Sequence, residues 1–201
     1  MKPFFQDSLI EAGCDEAGRG CLAGPVFAAA VILPKKFAHD TLTDSKKLKS
    51  KERYRLREEI IEKSIAWAVA SCDNHEIDKM NILKASILAM HRAVKQLVVK
   101  PEFLIVDGKY FDPYPEIPHR CIIKGDALYY SIAAASILAK TFRDDYMIEL
   151  AAKNPQYSWE TNKGYPSLQH RNTIAKYGIT QYHRRTFQLL PAQAHIPFDF
   201  L

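Results

Sequence analysis

Cys14-Asp15-Glu16-Ala17-Gly18-Arg19-Gly20-Cys21-Leu22-Ala23-Gly24-Pro25 joins two apolar runs and places two adjacent carboxylates beside a glycine-flanked arginine. Residues 9–15 and 25–33 on either side read as strands, so the glycine-rich segment between them closes a hairpin. Two like charges a few ångströms apart at the end of a buried strand cannot both stay ionised unaided. A shared proton or a divalent cation solves that problem. Gly18 and Gly20 let the backbone approach a ligand closely, and Arg19 adds a fixed positive charge. Acids for a metal, with backbone amides and an arginine for a polyanion, point to phosphodiester chemistry.

Working outward, Ser50 is the expected N-cap of a helix running to Ile61, and Ile65 to Ser71 reads as a third strand. Residues 81–98 carry apolar side chains at Leu83, Ile87, Met90, Val94 and Leu97, the spacing of one amphipathic helix. Phe103-Leu104-Ile105-Val106 leads into Asp107-Gly108, and Cys121-Ile122-Ile123 leads into Lys124-Gly125-Asp126. A long helix follows with a stripe at Leu128, Ile132, Ala135, Ala139, Phe142 and Tyr146. A last helix is expected from Ser167 to Tyr177, with Gly178 just beyond it. Strands first, then strands alternating with helices, give an α/β fold with a mixed central sheet flanked by helices. At 201 residues and 47% hydrophobic content the chain suits a single domain, residues 1–201, with about 155–201 forming a small helical C-terminal element and tail.

Composition narrows the classes. No apolar stretch reaches the ~18 residues of a membrane span, and the first residues lack a secretory apolar region. Cys14, Cys21, Cys72 and Cys121 are scattered without a C-x-x-C pair, which suits reduced thiols in the cytoplasm. A net charge of +5 permits a nucleic-acid partner without demanding one.

Three apolar runs thus end in acids: Asp15-Glu16, Asp107 and Asp126. Taken alone, Asp107 before a glycine could equally cap a turn. Together, hard oxygen ligands at one sheet edge suit Mg²⁺ or Mn²⁺.

With those residues in view, the chain resembles type 2 ribonuclease H, the bacterial ribonuclease HII family. The resemblance is carried by Asp15-Glu16-Ala17-Gly18-Arg19-Gly20, Asp44-Ser45-Lys46-Lys47-Leu48, Val106-Asp107-Gly108 and Lys124-Gly125-Asp126. It continues through Ala133 to Lys140 with Arg143-Asp144, Lys163-Gly164-Tyr165, and His183-Arg184 with Phe187. The related type 3 enzymes have serine and lysine where this chain has Ala17 and Arg19. The resemblance implies a ribonuclease H-like fold and makes Asp15, Glu16, Asp107 and Asp126 the catalytic, metal-binding carboxylates for two Mg²⁺ or Mn²⁺ ions with substrate bound. The implied reaction cuts the RNA strand of RNA–DNA hybrids and the 5′ side of single ribonucleotides in duplex DNA, leaving 3′-hydroxyl and 5′-phosphate ends.

The 2′-hydroxyl is the group that separates RNA from DNA at one sugar. Gly18, Arg19 and Gly20 suit that reading, and the resemblance adds Tyr165, its ring stacked on the next sugar. Seven cations lie between Lys46 and Arg57; most read as a solvated helix face, with Lys46 and Lys47 assigned to phosphate. His170 and His183 read as packed or surface histidines, and the cysteines as small core or loop residues. The tail motif Gln193-x-x-Ile196-x-Phe198 loosely resembles a sliding-clamp-binding peptide, with simple packing on the domain the favoured reading. A monomer is the default expectation. The competing function classes are an inactive nucleic-acid-binding module of the same fold and another two-metal nuclease.

Overall fold

The computed structural model describes residues 1–42 and 48–191. Its five strands are β1 (Glu11–Ala17), β2 (Val26–Ile32), β3 (Ala66–Cys72), β4 (Phe103–Asp107) and β5 (His119–Ile122), in sheet order β3-β2-β1-β4-β5. β1 and β2 form the expected hairpin, with Asp15 opposite Ala29 and Glu16 opposite Ala28. β3 extends it antiparallel, whereas β4 and β5 run parallel to β1. The mixed α/β sheet therefore stands as expected, and its parallel half sets β1 and β4 side by side.

Helices cover both faces. The helices are α1 (Ser50–Lys63), α2 (Asn74–Met80), α3 (Ile82–Gln96), α4 (Tyr130–Lys153), α5 (Trp159–Asn162) and α6 (Leu168–Tyr177). On one face, Ile87, Met90 and Val94 of α3 bury against Ala12, Cys14, Ala28 and Ala30. On the other, Ala133 to Ala139 of α4 and Leu56 and Ile60 of α1 pack on Ala29 and Val31. Gly13 makes this contact possible, since a Cβ there would lie 2.3 Å from the backbone carbon of Ser131. A third cluster joins Leu22 and Ala23 of the hairpin loop to Met147, Tyr157, Trp159 and Ile174, which ties the C-terminal helices to the glycine-rich segment.

Several details correct the sequence reading. β1 continues two residues past Asp15, so both acids lie within the strand rather than at its end. Lys49, not Ser50, occupies the N-cap of α1, without a side-chain bond. The expected 81–98 helix starts at Ile82, and the separate α2 before it has no counterpart in that reading. Asp73 and Glu76 form a capping box for α2, and Asn81, at φ 71°, ends α2 and caps α3 through its side chain. The stripe assigned to α4 is incomplete: Ser131 to Ala139 are buried all round, as in a central helix, while Leu128 and Tyr146 are exposed. Lys46 and Lys47 lie outside the described residues, as does the chain from residue 192 onward with its clamp-like motif. Among the described residues no helix is long and apolar enough to cross a membrane.

Candidate active site

The parallel register Cys14↔Val106 makes Asp15 and Asp107 the next residues along neighbouring strands. With Glu16 they open into a cleft of about 510 Å³, also lined by Ala17, Gly18, Arg19, Gly20, Arg53, Ser136, Lys140 and Tyr165. Asp126 stands apart from that lining. It is buried on the short 3₁₀ turn Gly125–Ala127 that follows β5, and the first amide of this turn donates to Asp107 Oδ1 at 2.7 Å. The turn therefore helps fix the rotamer of Asp107.

Electrostatically the site is unsatisfied. Burial, then the charges of Glu16 and Asp107, raise the Asp15 carboxyl well above the usual carboxylate range, against hydrogen bonds from Ser136 and from the Glu16 amide. Burial also raises Glu16, opposed by Arg19, whose Nη1 lies 3.1 Å from Glu16 Oε1. An arrangement that strains its acids toward protonation is relieved by a cation. The donors are all hard carboxylate oxygens, with no imidazole or thiol lining the cleft among the described residues, which fits a divalent ion of the Mg²⁺ or Mn²⁺ kind. Among the described residues, no three His, Cys, Asp or Glu side chains form a ready-made ion cage.

Two buried arginines shape the glycine-rich loop. Arg184, fully buried, donates to the carbonyls of Gly24, Arg19 and Gly18 at 3.0, 2.8 and 2.8 Å. Arg143, also fully buried, donates to Pro25, Lys163 and Ala23 at 3.0, 2.9 and 3.2 Å. Burial draws Arg184 down to about 10, so it stays cationic at neutral pH. Gly18 sits at φ 95°, and a Cβ there would lie 2.0 Å from Arg143 Nε, so the clamp itself demands glycine. Gly20 differs: a Cβ would meet nothing within 4 Å. The fold does not require a glycine at that position, and its bare backbone faces the cleft.

Tyr165 reaches the cleft from the loop before α6. Gly164 O accepts from Leu22 N at 2.7 Å, which docks the two loops together. Lys140 Nζ lies 5.6 Å and the Arg143 guanidinium carbon 5.8 Å from the centre of the Tyr165 ring. Burial and nearby Cys21 push its hydroxyl up to about 12, so it remains a protonated donor.

The structure thus gathers Asp15, Glu16, Asp107, Gly18, Arg19, Gly20 and Tyr165 around one cleft, while Asp126 is outside its lining, on the turn whose first amide holds Asp107. Sequence reasoning missed Arg53, Ser136 and Lys140 as cleft residues and gave no role to the arginine clamp. The motif Ala133 to Lys140 contains two of them, and their i, i+4 spacing on α4 was the available signal. Asp144 pairs with Lys140 at 2.5 Å, and Asp145 accepts from Tyr54 and Arg57, joining α1 to α4.

The Ribonuclease HII family model matches residues 12–190. A ribonuclease HII from Parabacteroides distasonis is 61% identical over 198 residues, 98% of this chain and all of the relative. Among solved structures, ribonuclease H2 from Pyrococcus horikoshii has TM-score 0.74 at 28% identity, covering 89% of this chain and 94% of its own. The ribonuclease HII of a PCNA:RNase HII complex from Archaeoglobus fulgidus has TM-score 0.75 at 26% identity, covering 93% and 98%.

Proposed function

Because this chain belongs to the ribonuclease HII family, it is a metal-dependent endoribonuclease acting on RNA–DNA hybrids, and we propose that the cleft between β1 and β4 carries the reaction. The observation that carries this reading is the juxtaposition of Asp15 and Asp107 on neighbouring parallel strands, with Glu16 beside them.

In this reading Asp15, Glu16, Asp107 and Asp126 hold two Mg²⁺ or Mn²⁺ ions. When bound, such ions supply an acidified water and neutralise charge on the departing 3′-oxygen. The chain's own residues place the substrate. Lys140 and Arg53 line the phosphate side of the cleft. The Gly18–Gly20 backbone, held from behind by Arg184 and open in front at Gly20, meets the 2′-hydroxyl of one ribose. Tyr165 stacks on the following sugar, where a deoxyribose fits best, and so favours an RNA-to-DNA junction. Cleavage falls 5′ of the ribonucleotide and leaves 3′-hydroxyl and 5′-phosphate ends.

In this reading residues 1–201 act as a single catalytic domain and as a monomer. The four free cysteines support a reducing, cytoplasmic setting. The archaeal relative's complex with PCNA is the ground for a clamp-binding reading of the tail at Gln193 to Phe198. Truncation at Ala192 tests it, and unchanged clamp binding rejects it.

The deciding experiment uses a labelled DNA duplex containing one ribonucleotide, with Mg²⁺ or Mn²⁺, beside an all-DNA duplex and the Asp15→Asn variant. Incision 5′ of the ribonucleotide, absent from both controls, is expected. Tight binding without incision in either metal rejects the enzyme reading in favour of a binding module.

A further inference from the structure

Behind Tyr165 lies a pair of buried histidines that the chemistry above leaves unused. His170 and His183 are both 0% exposed, packed with Trp159 and Tyr157, and their Nε2 atoms stand 3.3 Å apart. Every proton in this group can be assigned from obligate donors. The Trp159 indole N–H can only donate, and it points at His170 Nε2 from 3.0 Å. His170 therefore carries its proton on Nδ1, which donates to the Tyr165 carbonyl at 2.9 Å. At the other end, the Thr180 amide donates to His183 Nδ1 at 2.9 Å. The His183 proton is therefore on Nε2, directed at His170 Nε2. A proton added to His170 Nε2 would face two N–H donors, so only the neutral pair fits, and burial lowers both rings' affinity for protons.

This chain of bonds starts at Thr180 and ends on the backbone of the residue that faces the cleft. The Tyr165 carbonyl accepts a second bond, from Ser167 N at 2.8 Å, and the preceding Lys163 and Gly164 hold left-handed backbone at φ 51° and 79°. The next residue after His183 is Arg184, whose guanidinium holds the Gly18 and Arg19 carbonyls. One buried pair thus anchors both arms of the sugar-reading site.

We propose that His170 and His183 are positioning residues: their fixed tautomers set the Tyr165 backbone, and with it the ring that selects the RNA-to-DNA junction, against the Gly18–Gly20 loop. The inference rests on the reading of Tyr165 given above.

The test compares two isosteric losses. In His170→Asn the amide nitrogen takes the Nδ1 position and still donates to Tyr165, while the Trp159 and His183 N–H groups lose their acceptor. In His170→Gln the amide oxygen takes the Nε2 position and keeps Trp159, while Tyr165 loses its donor. His170→Gln forfeits one hydrogen bond and His170→Asn two, so the Asn variant melts lower than the Gln variant. The readout is the ratio of kcat/KM on a single-ribonucleotide duplex to kcat/KM on a uniform RNA–DNA hybrid. His170→Gln lowers that ratio by about threefold to tenfold, the weight of one hydrogen bond, and His170→Asn restores it toward the parent's. ¹⁵N NMR of the parent enzyme finds His170 protonated on Nδ1 and His183 on Nε2. Equal ratios in the two variants overturn the proposal, as does a His170 proton found on Nε2. Tyr165→Ala separates the layers. A ratio that moves in Tyr165→Ala but not in His170→Gln rejects the positioning role alone. A ratio that Tyr165→Ala leaves unmoved rejects the junction reading, and the positioning role falls with it.

Discussion

Arg184→Lys puts the loop clamp to a quantitative test. The guanidinium makes three bonds of 3.0, 2.8 and 2.8 Å to Gly24, Arg19 and Gly18, and all of it is buried. Lysine keeps the charge but brings a single nitrogen on a flexible stem, which cannot span three carbonyls set around a planar fork. Two of the three bonds are lost, each worth about 1.5–2 kcal/mol because the donor is charged, so the variant loses about 3–4 kcal/mol. At roughly 2–4 °C per kcal/mol for a chain of this size, the melting temperature falls by about 6–16 °C. Activity falls for a separate reason. The freed Gly18 and Arg19 carbonyls let the loop drift, and a displacement near 1 Å at a reacting centre costs on the order of tenfold to a hundredfold in kcat/KM. Thermal unfolding by circular dichroism and cleavage of the single-ribonucleotide duplex below the variant's melting point read the two effects separately. Arg171→Lys serves as the control, since its guanidinium binds the Gln188 and Leu189 carbonyls at the surface. Melting within about 2 °C of the parent, with unchanged cleavage, would refute the clamp.

Asp15→Asn removes a charge that burial, Glu16 and Asp107 disfavour. Its folded-state affinity for protons exceeds the unfolded one, so the carboxylate costs stability as pH rises. The metal-free variant therefore melts higher than the metal-free parent at neutral pH. Incision falls at least about a hundredfold, and added Mn²⁺ stabilises the parent more than the variant. His183, drawn down to about 4 from an ordinary 6.5 by burial and then by His170, binds fewer protons folded than unfolded between those values. Its contribution is complete above pH 6.5 and lost as pH falls toward 4, up to about 3 kcal/mol. Denaturant titrations across that window show a shallower pH slope in His183→Asn, and an unchanged slope counts against the neutral pair. Gly13→Ala drives a Cβ to 2.3 Å from the α4 backbone and costs about 1–3 kcal/mol or more; an unaltered denaturation midpoint contradicts the direct packing of α4 on β1.

Much of this architecture is local physics written into the chain. The alternation of apolar runs with turn residues at Gly18 to Gly24 dictates the β1–β2 hairpin, and the spacing of Ile87, Met90 and Val94 dictates α3. α2 escaped notice because seven mostly polar residues show no apolar period; its signal was the capping box of Asp73 and Glu76. The carboxylates of the site were legible because acids that follow apolar runs are rare and costly. What the sequence alone could not decide is distance. Asp15 and Asp107 are separated by ninety-odd residues, and only parallel pairing of β1 with β4 makes them neighbours. Arg143 and Arg184 stand out in the chain only as parts of the family motifs, without a role, and burial against six carbonyls is a property of the assembled loops. The same holds for His170 and His183: the amide of Thr180 meets His183 locally, but the Trp159 indole from α5 and the approach of the two rings to each other exist only in the fold. Residue types and spacings are properties of the chain, whereas desolvation and hydrogen-bond partners arise only when remote segments meet.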